Sequence, residues 1–182
     1  MLLQGIREGH PGAFRAFYRR HVSFVYSVLL RTIGSEDELD SLVYEVFFEA
    51  FRGIKKIRDN KKVKSWIAAI AVNTARDTIK RRQRNRWLCF FDPIELPDIA
   101  EDTRDILDRD ALNAVYVLLG RLNVDHRIAF TLRFMNEMKL EEIAEVCGVS
   151  IATVKRRLAK AKRRFYSLAK HHPALEEWME DE

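Results

Sequence analysis

Cysteine is almost missing from this 182-residue chain. Cys89 and Cys147 stand far apart and have no CxxC or Cys/His companions, so neither a disulfide framework nor a metal knuckle is available. Histidine is nearly as sparse: His10, His21, His126, His171 and His172 contain one adjacent pair, at a helix end before Pro173, and nothing like HExxH. No metal and no cofactor are expected. No apolar run approaches the roughly 20 residues of a membrane span, and the opening MLLQGIREGH has no signal-peptide hydrophobic region. The expectation is a soluble cytoplasmic protein with reduced thiols and no membrane insertion. Clustered carboxylates, a nucleophile beside a base and a phosphate-cradling Gly loop are also missing, so no enzyme is expected. No stretch alternates at strand period and nothing repeats, which leaves an all-α fold.

What is present is charge in blocks. Residues 1–91 carry 18 Lys and Arg against 9 acids, and residues 92–111 carry 2 against 8. Residues 112–172 return to 12 against 5, and residues 173–182 have 5 acids and no base. Two basic bodies separated by an acidic stretch suggest two contacts with a polyanion. A hydrophobic content of 47% excludes wholesale disorder.

Helical spacing organises those blocks. Phe14, Phe17, Tyr18, Val22, Val25, Val28 and Leu29 predict a helix over 13–33, closed by Gly34. Glu36, Asp37 and Glu38 open a second that runs to about Arg52, and a long third spans about 65–84 after a lysine-rich loop. FFDPIELPDIAED has two prolines, many acids and no period, so it reads as a linker that leaves two domains mobile. Four more helices follow at about 105–119, 125–134, 140–147 and 151–169. The resulting plan is a domain at 1–88, a linker at 89–104, a second domain at 105–172 and an acidic tail at 173–182.

The stretch KLEEIAEVCGVSIATVKRRLAKAKRR reads as helix, turn, helix. Leu140, Ile143, Ala144 and Val146 give the first helix a buried side. Gly148 supplies a left-handed turn and Ser150 an N-cap. Val154, Leu158, Ala161, Phe165 and Leu168 form the inner side of the second helix, which leaves Ala152, Lys155, Arg156, Ala159 and Lys160 facing out. Small residues let such a helix sink into a major groove, and cations at its edges reach phosphates and guanine edges.

Two other helices have faces to account for. Over 39–54, Val43, Val46, Phe47, Ala50 and Ile54 make one stripe and Tyr44, Phe48 and Phe51 a second. Two stripes call for two partners: two helices of the same domain, or one helix and another protein. On the third helix Ile67, Ile70, Ala71, Thr74 and Thr78 face a core, while Trp66, Asn73, Asp77, Lys80 and Arg84 line the opposite side. That set can stack on bases and hold phosphates; alternatively Trp66 is a packing anchor and Asp77 an intrahelical partner of Arg81.

Four segments, in order, carry a resemblance: GHPGAFRAFYRRH, LDSLVYEVFFEAF, KSWIAAIAVNTARDTIKRR and LEEIAEVCGVSIATVKRRLAKA. Together they resemble the extracytoplasmic-function, or group 4, sigma factors, over nearly the whole chain. The resemblance implies a sigma region 2 helical bundle and a sigma region 4 helix-turn-helix joined by an acidic flexible linker. It implies an alternative sigma factor that binds core RNA polymerase, recognises −35 and −10 promoter DNA and helps open it. Its implied partners are the clamp region of the largest polymerase subunit, the flap of the second, promoter DNA and an anti-sigma factor.

By residue, the resemblance implies core binding through Leu39, Asp40, Val43, Glu45 and Val46. It implies −10 binding through Lys61, Lys64, Trp66, Asn73, Asp77, Lys80, Arg81 and Arg84, and −35 binding through Ser150, Thr153, Lys155, Arg156, Arg157 and Lys160. Arg121, Asn123, Asp125 and Arg127 fall in a loop suited to phosphate or polymerase contact. The chain departs from the family pattern at Ser41 and Tyr44, at Ala68 and Ala69, at Asn123 and Val124, and at Ala152 and Arg156, so promoter sequence does not transfer. A stand-alone helix-turn-helix transcription regulator is the alternative; it leaves the Trp66 to Arg84 face and the acidic linker without a use. The tail is either a frayed end or a segment whose Leu175, Trp178 and Met179 fold onto a basic surface of the second domain.

Overall fold

The computed structural model describes residues 2–54, 57, 59–88 and 103–175, without the side chains of residues 85–88 and 103–110 or those of Leu2, Lys61 and Ala174. Cys89, the linker, Trp178 and Met179 lie outside the described residues. The first half is α1 (Leu2–Arg7), α2 (Pro11–Ile33), α3 (Leu39–Gly53), a 3-10 turn Asn60–Lys62 and α4 (Val63–Leu88). The second is α5 (Thr103–Gly120), α6 (Val124–Phe130), a π turn Thr131–Met135, α7 (Leu140–Cys147), α8 (Ile151–Ala169) and a 3-10 turn Pro173–Leu175. The fold is all-α, with no strand among the described residues.

Local chemistry sets the ends. Pro11 sits in the first turn of α2, where its missing N–H costs nothing. Gly34 closes that helix at φ 72°, and its N–H donates to the Leu30 carbonyl at 2.7 Å. Glu38 precedes α3 at φ 62°, a left-handed conformation that costs a non-glycine residue about 1 kcal/mol or more. Its carboxylate is held there by Arg81 at 3.2 Å and Arg82 at 3.7 Å. Helix α1 gave no periodic signal because it is six residues long, yet it buries Leu3 and Ile6. The predicted helix to Phe134 stops at Phe130 instead. There the chain widens into one π turn, in which Asn136 N–H donates to the Thr131 carbonyl five residues back at 2.9 Å.

Around Phe17 the first core is aromatic: the ring stands 6.2 Å from Phe47 and 5.9 Å from Phe51, with Phe14 edge-on to Phe51 at 5.0 Å. Val25, Leu29, Val46, Ile67 and Ala71 continue it. Helix α4 packs on α2 and α3 and also on α6 and α7. Its buried residues form two adjoining stripes, Val63, Ile67, Ala71, Thr74 and Thr78, then Ala68, Val72, Ala75 and Ile79 a quarter-turn round. Arg76, next to the second stripe, is the α4 residue that bonds the second half, at Asp125.

The two halves therefore share one core. Val124, Ile128, Leu132, Met138, Ile143 and Val154 belong to the same apolar cluster as Phe17 and Ile67. Polar contacts cross as well. Arg127 Nη2 donates to the Ile33 carbonyl at 2.6 Å, Asn136 to Ser27 Oγ at 3.0 Å, and the Thr32 and Thr131 hydroxyls meet at 3.2 Å; Arg31 donates to the Met135 carbonyl. Linker composition implied freely placed domains. Complementary apolar faces, which a charge profile does not display, instead hold them together.

Gly34 lies on that seam. A Cβ there would come 2.9 Å from Tyr116 Cδ1 and 3.1 Å from Arg127 Nη2. Gly34→Ala should destabilise the chain by about 1–3 kcal/mol, through positive φ and crowding together. Gly12→Ala, in α2 with nothing within 4 Å, should instead stabilise by about 0.5–1 kcal/mol. Urea unfolding of both variants measures the pair; equal shifts would contradict the close approach at the seam.

Candidate nucleic-acid interface

The helix-turn-helix is built as its sequence dictates. Glu142 reaches back to accept from the Lys139 N–H at 2.8 Å at the start of α7. Gly148 ends it at φ 63°, and Ser150 Oγ accepts from Thr153 N–H at 3.2 Å to cap α8. Val154, Leu158 and Ala161 are buried. Ala152, Lys155, Arg156, Ala159 and Lys160 are exposed together with Ser150, and Thr153 is half-buried. The outward side of α8 is thus two small residues framed by cations.

Arg157 is placed differently from its neighbours. Only 20% of its side chain is exposed, and Nη2 donates to Asp125 Oδ2 at 2.9 Å. The other oxygen of Asp125 accepts from Arg76 Nε on α4 at 3.3 Å, and Arg76 Nη1 in turn donates to Asn73 Oδ1. One carboxylate therefore links the basic helix of the second half to the long helix of the first. Asp125 is presented by Asn123, which caps α6 by accepting the Asp125 N–H at 3.0 Å. Arg127, expected in a loop suited to phosphate or polymerase contact, is on α6 and 6% exposed, with its guanidinium at the Ile33 carbonyl. Burial, with Arg82 nearby, pushes its pKa down to about 10.

The open side of α4 gathers most of the single-strand candidates. Asn73, Asp77, Lys80, Arg81 and Arg84 are exposed, and Asp77, Lys80, Gln83 and Arg84 line a shallow groove of about 480 Å³. Arg81 pairs with Glu38 rather than Asp77. Lys64 stands 4.9 Å over the Phe24 ring, and the Lys61 side chain is outside the described residues. Trp66 is half-buried against the end of α3, where a Cβ on Gly53 would come 3.0 Å from its Cζ2. In the α4 core, Ala68 is fully buried and Ile70 only half-buried.

Helix α3 separates its two stripes. Leu39, Val43 and Val46 are buried, while Asp40 and Glu45 are exposed. The second stripe divides: Phe51 packs into the aromatic core against Phe14 and Phe17, while Tyr44 is 73% and Phe48 50% exposed, with rings stacked at 6.4 Å and Arg52 5.7 Å over Phe48. Two adjacent exposed aromatics bordered by carboxylates make an apolar patch on the outward side of α3. Among the described residues no His, Cys, Asp and Glu group could hold a metal, and no helix is long and apolar enough to cross a membrane. Burial pushes the Cys147 thiol pKa up, away from reactivity.

Family models match both halves: "Sigma-70 region 2" over residues 17–85 and "Sigma-70, region 4" over residues 112–165. The ECF RNA polymerase sigma-E factor of Escherichia coli strain K12 is 28% identical over 171 residues, 89% of each chain. That of Haemophilus influenzae is 26% identical over 170 residues, 88% of this chain and 89% of the relative. The chain belongs to the extracytoplasmic-function sigma factors. It is an alternative sigma factor, which acts in initiating transcription. Its fold recurs in the Bartonella quintana sigma factor RpoE, solved with the anti-sigma factor NepR (TM-score 0.68, 20% identity, 87% of this chain and 97% of that one). It recurs also in CnrH, solved with the cytosolic domain of CnrY (TM-score 0.64, 22% identity, 92% and 94%).

Two residues that matter to the sigma factor's geometry, Arg76 and Asp125, carried weak sequence signals. Arg76 stands at the edge of the apolar stripe of α4, and Asp125 looks like an ordinary first-turn acid. Asp125→Ala should cost about 1–3 kcal/mol by leaving two partly buried guanidinium groups without their acceptor, as read from the urea midpoint. His126, beside the clasp, has its pKa lowered by burial and by Lys160 and Arg157. His21 is lowered too, by burial first. A lowered folded pKa means that the folded chain binds the proton less well than the unfolded one. Stability is therefore held above the ordinary histidine value and lost as pH falls below about 6.5. His126→Gln should flatten part of that fall in a pH series of thermal unfolding.

Proposed function

We propose that the sigma factor uses three outward faces in sequence. The Tyr44 and Phe48 face of α3, with Asp40 and Glu45 at its border, docks on the clamp region of the largest subunit of core RNA polymerase. Leu39, Val43 and Val46 support that face from beneath. The second half docks on the flap of the second subunit. The open side of α4 takes single-stranded −10 bases, with Trp66 as a rigid edge, Asn73 and Asp77 as hydrogen-bonding groups, and Lys64, Lys80, Arg81 and Arg84 on the backbone, extended by Lys61. Helix α8 enters the −35 major groove with Ser150, Thr153, Lys155, Arg156 and Lys160, and Arg157 joins them once released from Asp125.

The observation that carries this reading is the outward side of α8, with Ala152 and Ala159 framed by Lys155, Arg156 and Lys160, all exposed. Elements at −35 and −10 lie about 25 base pairs apart, roughly 85 Å along B-DNA at about 34 Å per turn. Arg76 and Arg157 share a single carboxylate, so the closed chain is far too short to span both. Promoter binding on this reading requires the halves to part, and polymerase docking supplies the energy for it. An anti-sigma factor is the partner that would hold the chain closed. Residues 1–88, 89–104, 105–172 and 173–182 are then the two domains, connector and tail of a cytoplasmic, non-enzymatic binding protein. A stand-alone regulator gives the exposed aromatics of α3 nothing to do.

Transcription with purified core polymerase separates the faces. Tyr44→Ala with Phe48→Ala should weaken core binding by about tenfold or more and leave duplex DNA affinity unchanged. Lys155→Ala with Arg156→Ala should do the reverse. Core binding that survives the α3 double variant at wild-type strength would contradict the assignment.

A further inference from the structure

The second half has an apolar and basic surface that none of the three faces uses. Leu175, in the turn after α8, is buried against Ala111, Ala114, Leu118 and Ala169, with Phe165 and Leu168 at its edge. Phe165 continues outward: its ring stacks on Phe130 at 5.0 Å, and Phe130 meets Phe134 at 4.8 Å. Phe134 is 42% and Tyr166 37% exposed, and Lys162 Nζ stands 4.9 Å over the Phe134 ring. Arg163 on α8 and Lys170 at its C-cap lie one turn to either side of Tyr166 and are exposed. The result is an aromatic ledge with a basic rim, starting where Leu175 is anchored.

We propose that this ledge is the docking site of the chain's own acidic end, Glu176–Glu182, and that the docked end screens α8 from nucleic acid. The composition of the segment matches the site: EEWMEDE holds 5 acids around Trp178 and Met179. The reach is of the right order: Trp178 is three residues past Leu175, about 10 Å of extended chain, and the ring steps that lead from Phe165, at the edge of the Leu175 cluster, through Phe130 to Phe134 are 5.0 and 4.8 Å. Trp178 and Met179 then cover Phe134 and Tyr166, a placement that suits both aromatic stacking and sulfur–aromatic contact. The carboxylates meet Lys162, Arg163 and Lys170 and occupy positions that DNA phosphates would otherwise neutralise. Screening by the tail rests on the reading of α8 as the DNA-contacting helix; docking does not.

Three full-fold forms test it: the whole chain, a chain ending at Leu175, and Trp178→Ala with Met179→Ala, which keeps every acid. The ring resonances of Phe134 and Tyr166 should differ between the whole chain and both altered forms, which should agree with each other. Affinity for a random duplex at low salt should rise about tenfold in both altered forms. Identical ring signals in all three overturn docking. Tighter binding on truncation alone, with the double variant like the whole chain, also overturns it, because the segment would then act as solvated charge. Shifted rings with equal DNA affinity would retain docking and refute screening. Phe134→Ala that weakens core polymerase binding without altering DNA affinity would assign the ledge to polymerase instead.

Discussion

Helix α4 must satisfy three environments at once, and the rest of the molecule is arranged around that demand. One stripe from Val63 to Thr78 closes the aromatic core of the first half. The next, from Ala68 to Ile79, is too apolar to be left in water, since burying Val72 and Ile79 is worth about 1.5–3 kcal/mol each. It is buried in the one core that α4 shares with α2, α3, α6 and α7. The third side, from Asn73 to Arg84, stays polar and open. A helix used this way ties both halves to one scaffold.

The seam is held by directional contacts as well as by burial. Arg127 enters it with its charge largely desolvated and one guanidinium nitrogen, Nε, without a partner. Desolvating such a charge costs free energy that its hydrogen bond to the Ile33 carbonyl offsets only in part, so it adds little net stability. Asp125 has a similar part at the edge of the seam, where two guanidinium groups converge on its two oxygens. These contacts specify how the halves meet more than how strongly. Such an interface suits a protein whose two halves meet in one state and separate in another.

Much of this was legible in the residues. Gly148 and Ser150 mark the turn of the helix-turn-helix because each fills a backbone need that few residues can fill, and the outward set on α8 follows from spacing alone. The two stripes of α3 were also readable, although periodicity could not say that Phe51 of the second would turn into the core while Tyr44 and Phe48 stay exposed. What sequence concealed was mostly between the halves. Arg127 resembles a surface cation, and only the approach of the first half, where it bonds the Ile33 carbonyl, makes it buried. Helix α1 and the π turn were hidden for another reason: each is too short to show a period.

The most direct test of the account is transcription from a randomised promoter library by purified core polymerase, with and without this protein, followed by sequencing of the transcript starts. The account predicts new starts that share two motifs separated by a fixed spacing, lost when Lys155 and Arg156 are replaced by alanine. Binding of the protein to duplex DNA with no new starts would contradict it.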